Sequence, residues 1–144
     1  MVKKIRKENT KTIGERSEAQ IIAMFLRQGK VVLQPFGDNQ RYDLVLDENG
    51  IFKRVQVKTG KLKNGVILFY TSSSIVRSKM KKRSYVGEVE FFAVYCPQND
   101  KCYLIPIEAT KTSVCSLRLN APKNKQIKGI LWAKDYEMIF NLVD

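Results

Sequence analysis

A single α/β domain is what this sequence predicts. Three observations lead there: one stretch with apolar residues at helical spacing, an Asn-Gly dipeptide between two alternating segments, and further short apolar runs bounded by turn residues. The 144 residues suit one domain, and a chain of this size buries roughly two thirds of the surface it exposes when unfolded. A hydrophobic fraction of 44% supplies the core. No repeat and no linker rich in Pro, Gly or Ser divides the chain.

Residues 1–12 are polar and basic and read as an N-terminal arm, with Asn9, Thr10 and Thr12 as helix-capping candidates. Across residues 13–28, Ala19, Ile22, Ala23 and Leu26 recur at helical spacing, Ile21 and Phe25 widen the stripe, and Gly29 ends it. Residues 31–33 form a short strand closed by the turn-forming Pro35, Gly37, Asp38 and Asn39. Residues 42–48 and 51–58 flank Asn49-Gly50, the strongest short hairpin signal, since both positions tolerate positive φ. Residues 66–71 read as a fourth strand. A Ser-rich, then basic stretch follows over 72–83, compatible with a helix, and contains Arg77, Lys79, Lys81, Lys82 and Arg83. Residues 90–96 and 101–105 form a second hairpin around Pro97-Gln98-Asn99-Asp100. Over 111–128 the chain is basic with little periodicity, and over 130–143 it is mixed apolar and acidic.

Charge restricts the partners. With 26 Lys and Arg against 14 Asp and Glu, the formal charge is +12, which points to an anionic partner. Nucleic acid is favoured over membrane, because no run approaches the roughly 18 apolar residues that span a bilayer. The basic first residues lead into no apolar signal segment, so the expected location is the cytoplasm. Cys96, Cys102 and Cys115 are odd in number and lack a paired spacing, and read as reduced packing residues. Histidine is absent, which removes Ser-His-Asp, Cys-His and histidine-dependent nuclease chemistry and leaves carboxylates, amides, lysines and hard cations.

With a two-residue turn at Asn49-Gly50, Glu48 faces Ile51 and Asp43 faces Gln56. Strand alternation then puts Lys58 on the face of Gln56, diagonal to Asp43, and turns Leu44, Leu46, Val55 and Val57 the other way. A solvated hairpin face also displays polar residues routinely. The particular set of a carboxylate, an amide and an ammonium nonetheless matches metal-assisted phosphodiester cleavage: Asp43 as central ligand, the Gln56 carbonyl and the main-chain carbonyl of Val57 as further ligands, and Lys58 orienting water and stabilising negative charge.

The segments Arg41-Tyr42-Asp43-Leu44-Val45-Leu46 and Val55-Gln56-Val57-Lys58-Thr59-Gly60 resemble the core of PD-(D/E)XK nucleases, in which an Asp begins one strand and a (D/E/Q)-x-K triplet lies in the next. Within that superfamily the chain is most similar to small homing endonucleases encoded in bacterial group I introns. The likeness extends over roughly residues 13–107 and includes Gly29-Lys30-Val31-Val32 and Phe91-Phe92-Ala93-Val94-Tyr95-Cys96-Pro97. It implies a restriction-endonuclease-like fold, a mixed central sheet flanked by helices, and an acidic residue on the preceding helix, for which Glu18 is preferred over Glu15. It also implies Mg²⁺, with Mn²⁺ as a substitute, and action as a homo-oligomer, a dimer or a tetramer. Two departures stand out. Tyr42 precedes the Asp where the family name has Pro, and Gln56 replaces an acid, removing one negative charge from the metal site.

Double-stranded DNA is then the expected partner. Lys61, Lys63, Arg77, Lys79, Lys81, Lys82 and Arg83 would contact phosphates, joined by the C-terminal segment 111–128 with Arg118, Lys123, Lys125 and Lys128. Asn39, Gln40, Arg41, Ser72, Ser73 and Ser74 are polar enough to touch bases. Two further readings stand beside sequence-specific double-strand cleavage: a junction-resolving endonuclease of the Holliday type, and a DNA-binding relative that has lost catalysis.

Overall fold

The computed structural model describes residues 7–74, 82–125 and 128–140. Helix α1 (Thr10–Arg27) begins where Asn9, in extended conformation, accepts the Thr12 N–H at 2.8 Å. It takes in the last three residues of the expected arm. Its buried positions are Ser17, Ile21 and Phe25, whereas Ala19 and Leu26 are exposed, so the packing stripe is rotated from the one the apolar spacing suggested. A small polar residue, Ser17, holds the place in the stripe that a hydrophobicity count passes over.

The central sheet has strands β1 (Val31–Leu33), β2 (Leu44–Glu48), β3 (Ile51–Thr59), β8 (Phe91–Cys96) and β9 (Lys101–Pro106) in the order β1-β2-β3-β8-β9. β3 and β8 run parallel and the other neighbours antiparallel, which makes the sheet mixed as expected. Asn49 and Gly50, at φ 56° and 86°, form the two-residue turn. The register places Leu44 on Val55 and Glu48 on Ile51, as the turn requires. The parallel pairing starts at an ion pair: Arg54 grips Glu90 at 2.8 Å, and the Glu90 N–H donates to the Arg54 carbonyl at 2.9 Å.

A second sheet, in the order β11-β10-β5-β4, consists of β4 (Lys61–Lys63), β5 (Val66–Tyr70), β10 (Val114–Arg118) and β11 (Leu131–Trp132). Asn64-Gly65, at φ 53° and 73°, turns β4 into β5 and is the same dipeptide signal as at residue 49, here beside a strand of only three residues. β6 (Ser72–Ser74) pairs with β7 (Lys82–Ser84), so these ends of the stretch expected to be helical are strand. Arg77, Lys79 and Lys81 lie outside the described residues. A 3-10 turn (Ile107–Ala109) after β9 and a one-turn α2 (Ala133–Tyr136) complete the described elements.

Two cores result. Ile21 and Phe25 of α1 pack on Leu44, Leu46, Val55, Val57 and Ala93 on one face of the central sheet. On the other face Phe92, Val94, Tyr103 and Ile105 pack against Ile67, Phe69, Cys115 and Leu117 of the second sheet. The cysteines are free and buried, in keeping with a packing role. Among the described residues no helix is long and apolar enough to cross a membrane.

Gly60 joins the two sheets between β3 and β4. A Cβ there would meet Ile67 Cγ2 at 2.7 Å and Val94 Cγ1 at 2.9 Å, both on fully buried side chains. Gly60→Ala is therefore expected to lower unfolding stability by about 1–3 kcal/mol in urea titrations, through overpacking. A stability unchanged by the substitution would mean that the sheets separate freely at this point.

Candidate active site

β2 begins at Leu44, one residue after Asp43, whereas β3 continues past it; the exposed edge of β3 there has no strand partner on the β2 side. Asp43 bridges that gap. Its N–H donates to the Val55 carbonyl at 2.9 Å, and its Oδ2 accepts the Val57 N–H at 2.8 Å. The N–H and carbonyl of a strand residue point to the same side, so the Val57 carbonyl lies on this edge too.

The Gln56 amide stands against two oxygens, the Arg41 carbonyl at 2.8 Å and Asp43 Oδ2 at 3.2 Å, to both of which its nitrogen donates. With the amide turned over, three oxygens converge on one point, an arrangement that a cation stabilises. The donor set of a carboxylate, an amide and main-chain carbonyls therefore fits a hard divalent ion. Among the described residues no group of three or more His, Cys, Asp or Glu comes together, so any such site has to draw on amide and carbonyl oxygens.

Glu18 reaches the same place from the helix. Ser17 and Thr59 share a hydrogen bond of 2.6 Å that pins α1 to the end of β3. The next residue, Glu18, then faces Asp43 across a cleft of about 270 Å³, also lined by Gln34, Pro35, Gly37, Asp38, Gln40 and Tyr42. The Gln34 amide donates to Glu18 at 3.1 Å. Glu15 is exposed and does not line the cleft.

Burial raises the Asp43 carboxyl above its ordinary range, and the Val57 N–H and the Lys58 charge only partly counter this. Glu18 is raised as well, by burial first and then by the charge of Asp43, with the Gln34 amide opposing. Two carboxylates that both resist ionisation across one cleft form a site that gains from a cation.

Lys58 shares the face of Asp43 and Gln56, but its ammonium leans on Tyr85, 3.4 Å from the hydroxyl and 4.8 Å from the ring centroid. The other cation on that ring is Arg41, at 3.9 Å. Arg41 does not face outward to read bases: it pairs with Glu88, bonds Ser73, and donates to the Ser84 carbonyl at 3.0 Å. Tyr85, Arg41 and Glu88 are thus part of the site although no local pattern marked Tyr85 or Glu88; only their contacts across the fold reveal them. Of the expected phosphate contacts, Lys61 and Lys63 are exposed on β4, and Arg83 pairs with Glu88 at 2.6 Å. Lys82 is placed only by its strand position in β7.

The model of the PD-(D/E)XK endonuclease family matches residues 8–139. Among solved structures, that of a bacterial homing endonuclease, I-Ssp6803I, is similar at a TM-score of 0.74 and 24% identity, over 90% of this chain and 89% of that one. No curated protein matches.

A carboxyl whose folded pKa lies above its unfolded value adds stability only below the unfolded pKa, and loses that contribution as pH rises through the folded value. Asp43→Asn is therefore expected to raise the thermal midpoint near neutral pH, with the gain vanishing at about pH 4 and below, close to the ordinary Asp value. Thermal unfolding at both pH values checks this; a variant less stable at neutral pH would show that Asp43 is not strained by its burial.

Proposed function

Because this chain belongs to the PD-(D/E)XK endonuclease family, we propose that it is a sequence-specific homing-type endonuclease that cuts both strands of DNA with Mg²⁺, or Mn²⁺ in its place. The observation that carries this reading is the meeting of Asp43, Gln56 and main-chain carbonyls where β2 runs out, with Glu18 across the cleft and Lys58 on the same face.

Asp43, the Gln56 amide oxygen, the Val57 carbonyl and Glu18 would hold the ion. When bound, it would polarise the scissile phosphate and the attacking water. Lys58 orients that water and balances charge that builds on the phosphate. Tyr85 is a positioning residue: its ring and hydroxyl hold the Lys58 ammonium. The +12 net charge favours a polyanion and a salt-dependent grip on the backbone. A chain with one such centre cuts one strand at a time, so a break in both calls for at least two copies, a dimer or a tetramer.

Asp43→Ala and Lys58→Ala are each expected to slow single-turnover cleavage by about 10²-fold or more, while gel-shift affinity for DNA stays close to wild type. Undiminished cutting by either variant rejects the site. Duplex left intact over a Mg²⁺ or Mn²⁺ titration would favour a relative that binds without cutting, and a preference for four-way junctions over linear duplex would favour a resolvase.

For the positioning role, Tyr85→Leu is expected to slow single-turnover cleavage about tenfold without changing DNA affinity, since misplacing a reacting group costs rate rather than binding. Tyr85→Phe, which keeps the ring, should recover most of the rate. Equal losses in both variants, at a temperature where circular dichroism shows both folded, would remove the cation–ring contact from the account.

A further inference from the structure

The excess positive charge is concentrated. Residues 61–87 and 109–134 contain 13 of the 26 Lys and Arg and no Asp or Glu, while the other 13 share the rest of the chain with all 14 carboxylates. These two acid-free tracts supply every strand of the second sheet, through the antiparallel pairing of β5 with β10. The two central strands, β5 and β10, alternate in burial. Ile67, Phe69, Cys115 and Leu117 face the core at 2% exposure or less, whereas Leu68, Tyr70 and Val114 are exposed by 40, 68 and 39%.

The register arranges the outer face in rows. One runs Lys63, Val66, Arg118 across β4, β5 and β10; the next runs Lys61, Leu68, Ser116; the third pairs Tyr70 with Val114. Lysines therefore flank the central β5–β10 ribbon on its β4 side. On the opposite side a cavity of about 230 Å³ is lined by Lys111, Arg118, Lys128, Asn124 and Ser116, with no carboxylate in its wall.

We infer that this outer face is the surface that reads DNA sequence, seated in the major groove with the β5–β10 ribbon toward the bases and the flanking cations toward the two phosphate backbones. This rests on the nuclease reading and adds where the duplex lies. A major groove about 12 Å wide admits a two-stranded ribbon, and paired strands lie about 4.8 Å apart. Rows on one face repeat about every 6.8 Å along a strand, close to two base steps of about 3.4 Å each. Ser116 and Tyr70 offer hydroxyls, Arg118 a fork that matches guanine, and Leu68 and Val114 apolar surface for thymine methyls. A second copy of this chain is a poor occupant, because a two-fold contact would set Lys61, Lys63 and Arg118 against cations of the same face. The face is also tied to the cleavage strand: β4 starts three residues after Lys58, across the tightly packed Gly60. Such a connection fixes the spacing between bases read and bond cut.

Cleavage of a randomised duplex library by the wild type, Leu68→Asn, Arg118→Gln and Lys63→Gln tests this, with sedimentation and melting recorded for each. Leu68→Asn and Arg118→Gln are expected to change base preference about tenfold or more at a few adjacent positions a constant distance from the cut. Lys63→Gln should weaken binding evenly across sequences and lower the salt slope by about one. Base preferences unchanged in both central variants overturn the inference and leave the nuclease reading standing. A change of oligomeric mass in those variants also overturns it, by making the face a subunit contact. A wild type that neither binds nor cuts DNA removes both readings together.

Discussion

The register of β2 against β3 is the constraint on which the site depends. Side chains alternate with a period of two, so a slip by one residue would bury Asp43, Gln56 and Lys58 and expose Leu44, Leu46, Val55 and Val57. The Asn49-Gly50 turn and four fully or nearly buried aliphatic side chains all select the same register. Because β2 stops one residue short of Asp43, the same pairing that builds the sheet leaves an unpartnered stretch of β3 edge, and the Asp43 carboxylate takes over the Val57 N–H there. The metal-compatible point is thus a place where a ladder ends.

Around that point, polar groups are held by partners of high contact order. Ser17 and Thr59 fasten the helix to the strand end, which places Glu18 opposite Asp43. Arg41 and Lys58 share the ring of Tyr85, itself packed edge-on to Phe92 at a 5.5 Å centroid distance. The cations are therefore oriented by buried aromatic surface, and Glu88 balances the charge of Arg41. Against this, the raised carboxyls of Asp43 and Glu18 represent stability given up locally.

Long-range architecture separates two surfaces. The central sheet, backed by α1, carries the groups proposed to react, and the second sheet, proposed to read DNA, presents an acid-free face on the far side of a shared core. Gly60 joins them with too little room for a methyl group, so the connection is packed tightly between Ile67 and Val94.

By itself, the chain's order of residues determined the β2–β3 hairpin, its register, the common face of Asp43, Gln56 and Lys58, the β8–β9 pair and the bounds of β1, because each follows from turn dipeptides and alternation within a few neighbouring residues. The Asn64-Gly65 turn carries the same signal, but its β4 arm of three residues is too short to show alternation. Only the tertiary structure decided which stripe of α1 faces the sheet, since Ser17 belongs to it through a partner 42 positions away. It alone brought Tyr85 and Glu88 to the site, turned Arg41 inward and paired β5 with β10, which no tight turn joins. Contacts of that kind join segments distant in sequence, and no local spacing specifies which of many possible partners packing will choose.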